Sequence, residues 1–271
     1  MPNLDIKYIN VDREIERSRN LEKQLDALAL SAERHSATTP ENISDSDKNY
    51  YSKWKARLGF GRELTLGEIC CYTSHCQVLE AFLQSESKWL LILEDDIIIP
   101  SYFSELLDEV LNIEEIQDGC VNLYKRCDSF VDNSRSIELN ATQARLGEAA
   151  IFPTSAVAIF WSKTAAYNFL KKRRKVTRPF DHATSEYFTR SGNGFAFDVS
   201  LLTNLQWASS IDSFGEIRPK ARTGKLMNDL AYGISWERRR LMKFTWAFLR
   251  RVNSKRKAES QRNTNIQATL D

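Results

Sequence analysis

Apolar and polar positions change their period along the chain, and the changes outline alternating strands and helices. Residues 4–11 mix β-branched and aromatic side chains and predict a first strand. Asp12 and Arg13 end it. Residues 14–30 then place Leu21, Leu25 and Leu28 at i, i+4 and i+7, the stripe of an amphipathic helix. Residues 36–53 are rich in Ser, Thr, Asp and Asn and are expected to form a loop. In residues 66–83, Ile69, Tyr72, Cys76, Leu79 and Leu83 recur in steps of three and four, while Glu68, Cys71 and His75 fall on a different helical face. Residues 89–93 form a continuous apolar run, the pattern of a strand covered on both faces. Residues 97–99 follow, stopped by Pro100. A helix is expected over 103–116, strands over 120–124 and 156–161, and a helix after Ser162, a residue suited to its N-cap. Strand followed by helix from the first residues onward is how a Rossmann-like α/β sheet begins.

Beyond about residue 215 the pattern changes. Residues 235–252 set Leu241, Phe244, Thr245, Phe248, Leu249 and Val252 on one side and mostly Arg and Lys on the other, a basic amphipathic helix. Residues 254–271 are polar and expected to be disordered. Charge follows the same division. Residues 218–257 hold 13 Lys/Arg against two acids, whereas residues 1–217 hold 24 basic and 32 acidic side chains. We therefore divide the chain into an acidic α/β domain (1–217), a basic amphipathic segment (218–253) and a tail (254–271).

Hydrophobic residues make up 42% of the 271 positions, enough for a substantial core. No apolar run reaches the roughly 18 residues a membrane span needs, and the first residues lack the pattern of a signal peptide. A cytoplasmic protein is expected. The five cysteines (70, 71, 76, 120 and 127) fit that compartment as reduced packing residues, and no C-x-x-C pair suggests a zinc knuckle.

The apolar run at 89–93 ends in Glu94, Asp95 and Asp96, three acids at the place where open α/β sheets bind ligands. Strand alternation points Glu94 and Asp96 the same way. A hard divalent cation bridging a substrate diphosphate takes one or two such carboxylates and fills its other positions with water and phosphate oxygens. The same three residues also suit a solvated turn.

Gly67-Glu68-Ile69-Cys70-Cys71-Tyr72-Thr73-Ser74-His75, followed by Leu91-Ile92-Leu93-Glu94-Asp95-Asp96, resembles glycosyltransferase family 25, which includes bacterial lipooligosaccharide β-galactosyltransferases. Tyr8-Ile9-Asn10-Val11-Asp12, with Arg13, Arg17 and Arg19 after it, is similar to the family's first strand and donor loop. Residues 155–170, Pro179-Phe180-Asp181-His182 and Ser209-Ser210-Ile211 resemble later family elements, so the likeness spans 4–212. Cys70 stands where the family pattern has Gly, and the acidic triplet is Glu-Asp-Asp. No histidine follows His182, so no third metal ligand is assigned.

The resemblance implies a GT-A type, Rossmann-like nucleotide-sugar-binding domain, here with a C-terminal basic helical extension. It also implies a UDP-hexose donor (galactose favoured), Mn2+ or Mg2+, inversion at the anomeric carbon and a lipopolysaccharide- or lipooligosaccharide-type glycan acceptor. On that reading Asp96 and Glu94 are the metal ligands. Asn10, Arg13, Arg19 and Asp95 contact the donor, Asp95 through ribose or an amide. Glu68, His75 and His182 hold a sugar, although Glu68 and His75 equally suit an internal hydrogen-bonded pair. Asp181 is the leading candidate for the base that a single displacement requires, or else it caps the helix beginning near His182. Glu186 and Asp212 are reserves. A protein or capsular acceptor is the alternative within the class. Lipid-linked acceptors lie on an anionic leaflet, so the basic helix suits peripheral membrane contact; packing against the domain with a solvated basic face is its other reading. Nucleic-acid binding by the same patch is the reading from another class. The Trp and Phe of 236–248 repeat at helical spacing rather than as stacking platforms, and no nucleic-acid partner is expected.

Overall fold

The computed structural model describes residues 3–125, 130–138, 144–172, 175–205, 234, 237–238 and 240–249. The chain opens with strand β1 (Leu4–Asn10), helix α1 (Ile15–Ala27) and strand β2 (Glu33–Ser36). Helices α2 (Asp45–Tyr50), α3 (Lys53–Phe60) and α4 (Leu66–Gln84) lead to strand β3 (Trp89–Glu94) and the two-residue β4 (Ile97–Ile98). Helix α5 (Phe103–Leu111) precedes strands β5 (Cys120–Asn122), β6 (Phe130–Glu138), β7 (Arg145–Ile151) and β8 (Ala158–Ser162). Helices α6 (Lys163–Lys172) and α7 (Phe180–Ser191) and strands β9 (Gly194–Phe197) and β10 (Thr203–Asn204) follow. Residues 240–249 form a further, C-terminal helix.

Eight strands make one sheet in the order β2-β1-β3-β8-β5-β9-β7-β6. β1 pairs parallel with both β2 and β3, and β8 then runs antiparallel between β3 and β5. β9 is parallel to β5, and β7 antiparallel to β9. This is the GT-A-like, Rossmann-type α/β architecture expected from the sequence. The apolar run of β3 explains why it lies inside the sheet. Trp89, Leu91 and Leu93 join one core with α1 and α5, while Leu90 and Ile92 join a second core with α4, α6 and α7. Each face of the strand is covered by helices, so no polar position is needed along it.

Four local expectations change. Residues 36–53 contain α2, a helix with no buried residue, started by the Ser44 hydroxyl, which accepts from the Asp47 N–H at 3.1 Å. The helix expected over 103–116 stops at Leu111, with a single 3-10 turn at Glu114–Ile116. Strands β2, β6, β7, β9 and β10 and helix α3 had no separate sequence signal. The Asp181 cap does not occur, because α7 begins one residue earlier at Phe180 with Pro179 in the cap position. Ser162 behaves as expected: its hydroxyl accepts from the Ala165 N–H at 3.0 Å. The tail 254–271, residues 218–233, Cys127, Ser209-Ser210-Ile211 and Asp212 lie outside the described residues.

Candidate active site

A pocket of about 530 Å³ opens where β1, β2 and β3 end, a volume within the roughly 300–1,000 Å³ of small-molecule sites. Its position follows from the sheet, because the three parallel strands present their carboxyl ends on one edge. β3 contributes the acids. The strand ends at Glu94, and Asp95 and Asp96 follow in a bend, so strict alternation no longer sets their directions. All three residues line the pocket.

Asp95 is the most enclosed of the three. One carboxylate oxygen accepts from Asn10 Nδ2 at 2.7 Å, and the other faces Arg17 at 3.4 Å. Burial pushes its pKa up, and the Asn10 hydrogen bond and the Arg17 charge pull it back. Asp96 accepts from Asn204 Nδ2 at 3.1 Å, while its backbone carbonyl accepts from the Leu205 N–H. Burial and then the neighbouring Asp95 charge hold the Asp96 pKa above the usual carboxylate range. Strand β1 is braced as firmly. Asn10 Nδ2 gives a second hydrogen bond to the Glu14 backbone carbonyl, and the Asn10 side-chain Oδ1 accepts from Arg34 Nε.

The opposite wall comes from α4 and α7. Thr65 and Glu68 form a capping box at the start of α4: the Thr65 hydroxyl accepts from the Glu68 N–H, and Glu68 accepts from the Thr65 N–H. Glu68 also takes a bidentate pair of hydrogen bonds from Arg62 at 2.8 and 2.7 Å. Two turns on, the His75 ring stacks on Phe180 with centroids 4.1 Å apart and planes 9° apart. His75 is buried, its Nδ1 has no hydrogen-bond partner, and burial drives its pKa down to about 3. Glu68 and His75 thus share the pocket with different partners, Glu68 held by Arg62 and Thr65 and His75 by its stack on Phe180. Phe180 also delivers Asp181 and His182. Asp181 accepts from the His182 N–H at 2.7 Å, and the His182 ring meets Phe60 edge-on at 5.0 Å.

Eight candidate residues therefore concentrate at one place: Glu94, Asp95, Asp96, Glu68, His75, Asp181 and His182 on the wall, with Asn10 directly behind it. Three lie elsewhere. Arg19 is exposed and paired with Glu16, Arg13 lies beside Glu14, and Glu186 is paired with Arg178. In their place the structure supplies Arg17, a buried cation on the pocket wall. Its signal was present, since Arg17 precedes Leu21 and Leu25 by four and eight residues and so shares their inward stripe, whereas Arg19 falls off it. Arg62 had no such signal: it follows the left-handed Gly61 that ends α3. Asn204 had none either, because its place depends on the long-range pairing of β10 with β4.

The donor set suits a hard divalent ion, since two half-buried carboxylates, Glu94 and Asp96, meet at an opening with space for phosphate oxygens. Among the described residues no group of three or more His, Cys, Asp or Glu is arranged as a complete metal cage. A cation held here would take its remaining ligands from substrate and water.

A GT-A-like sheet with acids and a buried arginine gathered in a pocket at its carboxyl edge places its candidate site where open α/β sheets bind their ligands. Residues 5–184 match the family model described as glycosyltransferase family 25 (LPS biosynthesis protein), and the chain belongs to that family. Relatives named as glycosyltransferase 25 family members include one from Anopheles gambiae, 32% identical over 103 residues, covering 36% of this chain and 17% of the relative. Another, from Aedes aegypti, is 32% identical over 112 residues, covering 40% of this chain and 18% of the relative. These matches thus span under a fifth of those proteins' length. Among solved structures, a glycosyltransferase involved in the glycosylation of the major capsid of PBCV-1 aligns over 79% of this chain and 98% of that one, with a TM-score of 0.40 and 12% identity.

Proposed function

We propose that this chain is an inverting glycosyltransferase that moves a hexose, galactose by preference, from a UDP-sugar to a lipopolysaccharide- or lipooligosaccharide-type glycan. The observation that carries the reading is the convergence of Glu94, Asp95, Asp96 and Arg17 at the carboxyl edge of the sheet, opposite Asp181 and His75, in one pocket. The two walls have different chemistry and suit different parts of the reaction.

The β3 wall suits the donor. Glu94 and Asp96 would hold Mn2+ or Mg2+, which when bound offsets the charge on a departing diphosphate. Arg17 presents a guanidinium to phosphate oxygens and is held in place by Asp95, while Asn10 fixes Asp95. The α4 and α7 wall suits the sugar and the acceptor. Asp181 would take the proton from the acceptor hydroxyl as that oxygen attacks the anomeric carbon from the side opposite the diphosphate. Glu186, engaged by Arg178 and away from the pocket wall, is less suited to that task. His75 is neutral at physiological pH, so it would contact a sugar hydroxyl as a hydrogen-bonding group and not as a cation.

No helix among the described residues is long and apolar enough to cross a membrane. We place the enzyme on the cytoplasmic side, with its basic C-terminal segment in peripheral contact with the anionic leaflet that carries lipid-linked acceptors.

Two variants test the assignment. Asp96→Ala should abolish cation-dependent hydrolysis and transfer of UDP-sugar while leaving the circular dichroism spectrum unchanged; full activity would sink the metal assignment. Asp181→Asn should keep UDP-sugar binding and lower transfer at least ~100-fold, the usual contribution of a general base. Lost binding would make Asp181 a structural residue.

A further inference from the structure

The C-terminal helix is seated with its apolar side outward. Lys243, Trp246 and Ala247 are half-buried against the domain, while Leu241, Phe244, Phe248 and Leu249 are exposed, Phe248 at 66%. The helix is fixed in this orientation by polar contacts. Lys243 Nζ donates to Ser185 at 2.7 Å and Thr154 at 3.2 Å, and the Arg190 guanidinium lies over the Trp246 ring at 5.6 Å. An amphipathic helix that only covered a domain would do the reverse, hiding its Phe and Leu side chains.

A second helix has the same character. In α3, Ala56 and Phe60 point into the core, while Trp54 and Leu58, one turn apart, are 68% and 61% exposed. The C-terminal segment adjoins α3, because the guanidinium of Arg238, two residues before the 240–249 helix, donates to the Leu58 backbone carbonyl at 3.4 Å. Both also reach the pocket wall, α3 through Phe60 and the C-terminal helix through the Lys243–Thr154 hydrogen bond.

We propose that Trp54 and Leu58 of α3 and Leu241, Phe244 and Phe248 of the C-terminal helix form one docking surface for an anionic lipid bilayer, beside the mouth of the pocket. This deepens the peripheral-membrane reading above and rests on it. Charge selects the occupant. Exposed Lys53, Lys55, Arg57, Arg238 and Arg240 flank the apolar residues, against Glu63 and Glu237 as the acids paired with them. A second copy of the chain would bring that excess against itself, whereas anionic headgroups neutralise it. Exposed aromatic rings beside Arg and Lys are the side-chain mixture of a membrane interface. The surface would hold the pocket close to the headgroups, where a lipid-linked glycan is presented.

The test uses the full chain and flotation with phosphatidylcholine vesicles, with and without phosphatidylglycerol. The wild-type protein should float only with the anionic vesicles. Trp54→Ala/Leu58→Ala and Phe244→Ser/Phe248→Ser should each lower the bound fraction at least ~10-fold, the scale of losing two large apolar side chains. Both variants should hydrolyse UDP-sugar at the wild-type rate, since these residues lie off the pocket wall. If only the Phe244/Phe248 variant loses binding, the composite surface is overturned and the membrane reading stands. If the wild-type chain does not float, both fall. If it does not float and light scattering shows a dimer that either variant dissolves, the surface is an interface between copies.

Discussion

His75 shows how far one residue's surroundings decide its chemistry. Its ring is enclosed by α4 and stacked on Phe180, and burial, reinforced by the His35 charge, takes its pKa from 6.5 down to about 3. The unfolded chain therefore binds this proton at higher pH than the folded one. The contribution is absent above the unfolded value, and stability falls as pH drops from about 6.5 toward 3, with a limiting slope of tenfold in the folding constant per pH unit. Between about pH 7 and about pH 5.5 that amounts to roughly 1 kcal/mol, before most carboxylates titrate. Urea midpoints at the two pH values should show this loss, and His75→Phe, which keeps a stacking ring, should remove it. His35 is shifted the same way by burial, so His35→Asn is needed beside it; an unchanged slope in the His75 variant would mean that His75 is protonated in the folded state. The same residue scale explains Arg17 and Arg19. The inward stripe of α1 was legible, but the pairing of Arg17 with Asp95 joins residues 78 apart and has no local trace.

At the scale of elements, strongly periodic segments were legible and sheet partners were not. β3 and α4 carry their own apolar patterns, so their existence, and the carboxylates at the end of β3, could be read directly. β9 is four residues long, Gly194–Phe197, and owes its place to β5 on one side and β7 on the other. Helix α2 has no buried face, so hydrophobic period could not reveal it; only its Ser44 cap marks it. Gly194 shows what such a short strand does for the site. A Cβ there would stand 2.6 Å from the Phe152 ring and 2.7 Å from Phe188 Cβ, so the missing side chain is what lets α7 lie against the sheet. α7 begins with Phe180, Asp181 and His182 on the pocket wall. Gly194→Ala should cost about 1–3 kcal/mol by overpacking and lower the thermal midpoint by roughly 2–10 °C. Transfer activity should fall more than UDP-sugar binding, because the displaced element carries the proposed base and not the donor wall. A thermal midpoint equal to wild type would show that Phe152 and Phe188 yield without strain.

Across the whole molecule, the basic C-terminal helix has a fixed seat on the α/β domain. The sequence suggested either a helix packed on the domain with a solvated basic face or a helix bound to membrane. In the structure, residues 240–249 do pack on the domain, but a basic residue faces inward and apolar residues face out. Lys243 is the reason. Its ammonium is half-buried and donates to two hydroxyls, Ser185 and Thr154, of which Ser185 is fully buried and bonded onward to the Phe152 carbonyl. With the ammonium partly open to water, the pair of contacts is worth on the order of 1 kcal/mol, near the net value of an ordinary hydrogen bond. Lys243→Met should therefore raise the opening equilibrium of the helix about fivefold, read as faster amide exchange over 240–249, with exchange in β3 and α4 unchanged. Thr154 sits on the pocket wall, so the same variant should raise the KM for the glycan acceptor more than that for UDP-sugar if the helix supports the acceptor side. Equal exchange in the variant and the wild-type chain would leave the Arg190–Trp246 contact as the fastening. The latch would then lie at the end of α7, remote from Thr154, and KM for both substrates should stay constant.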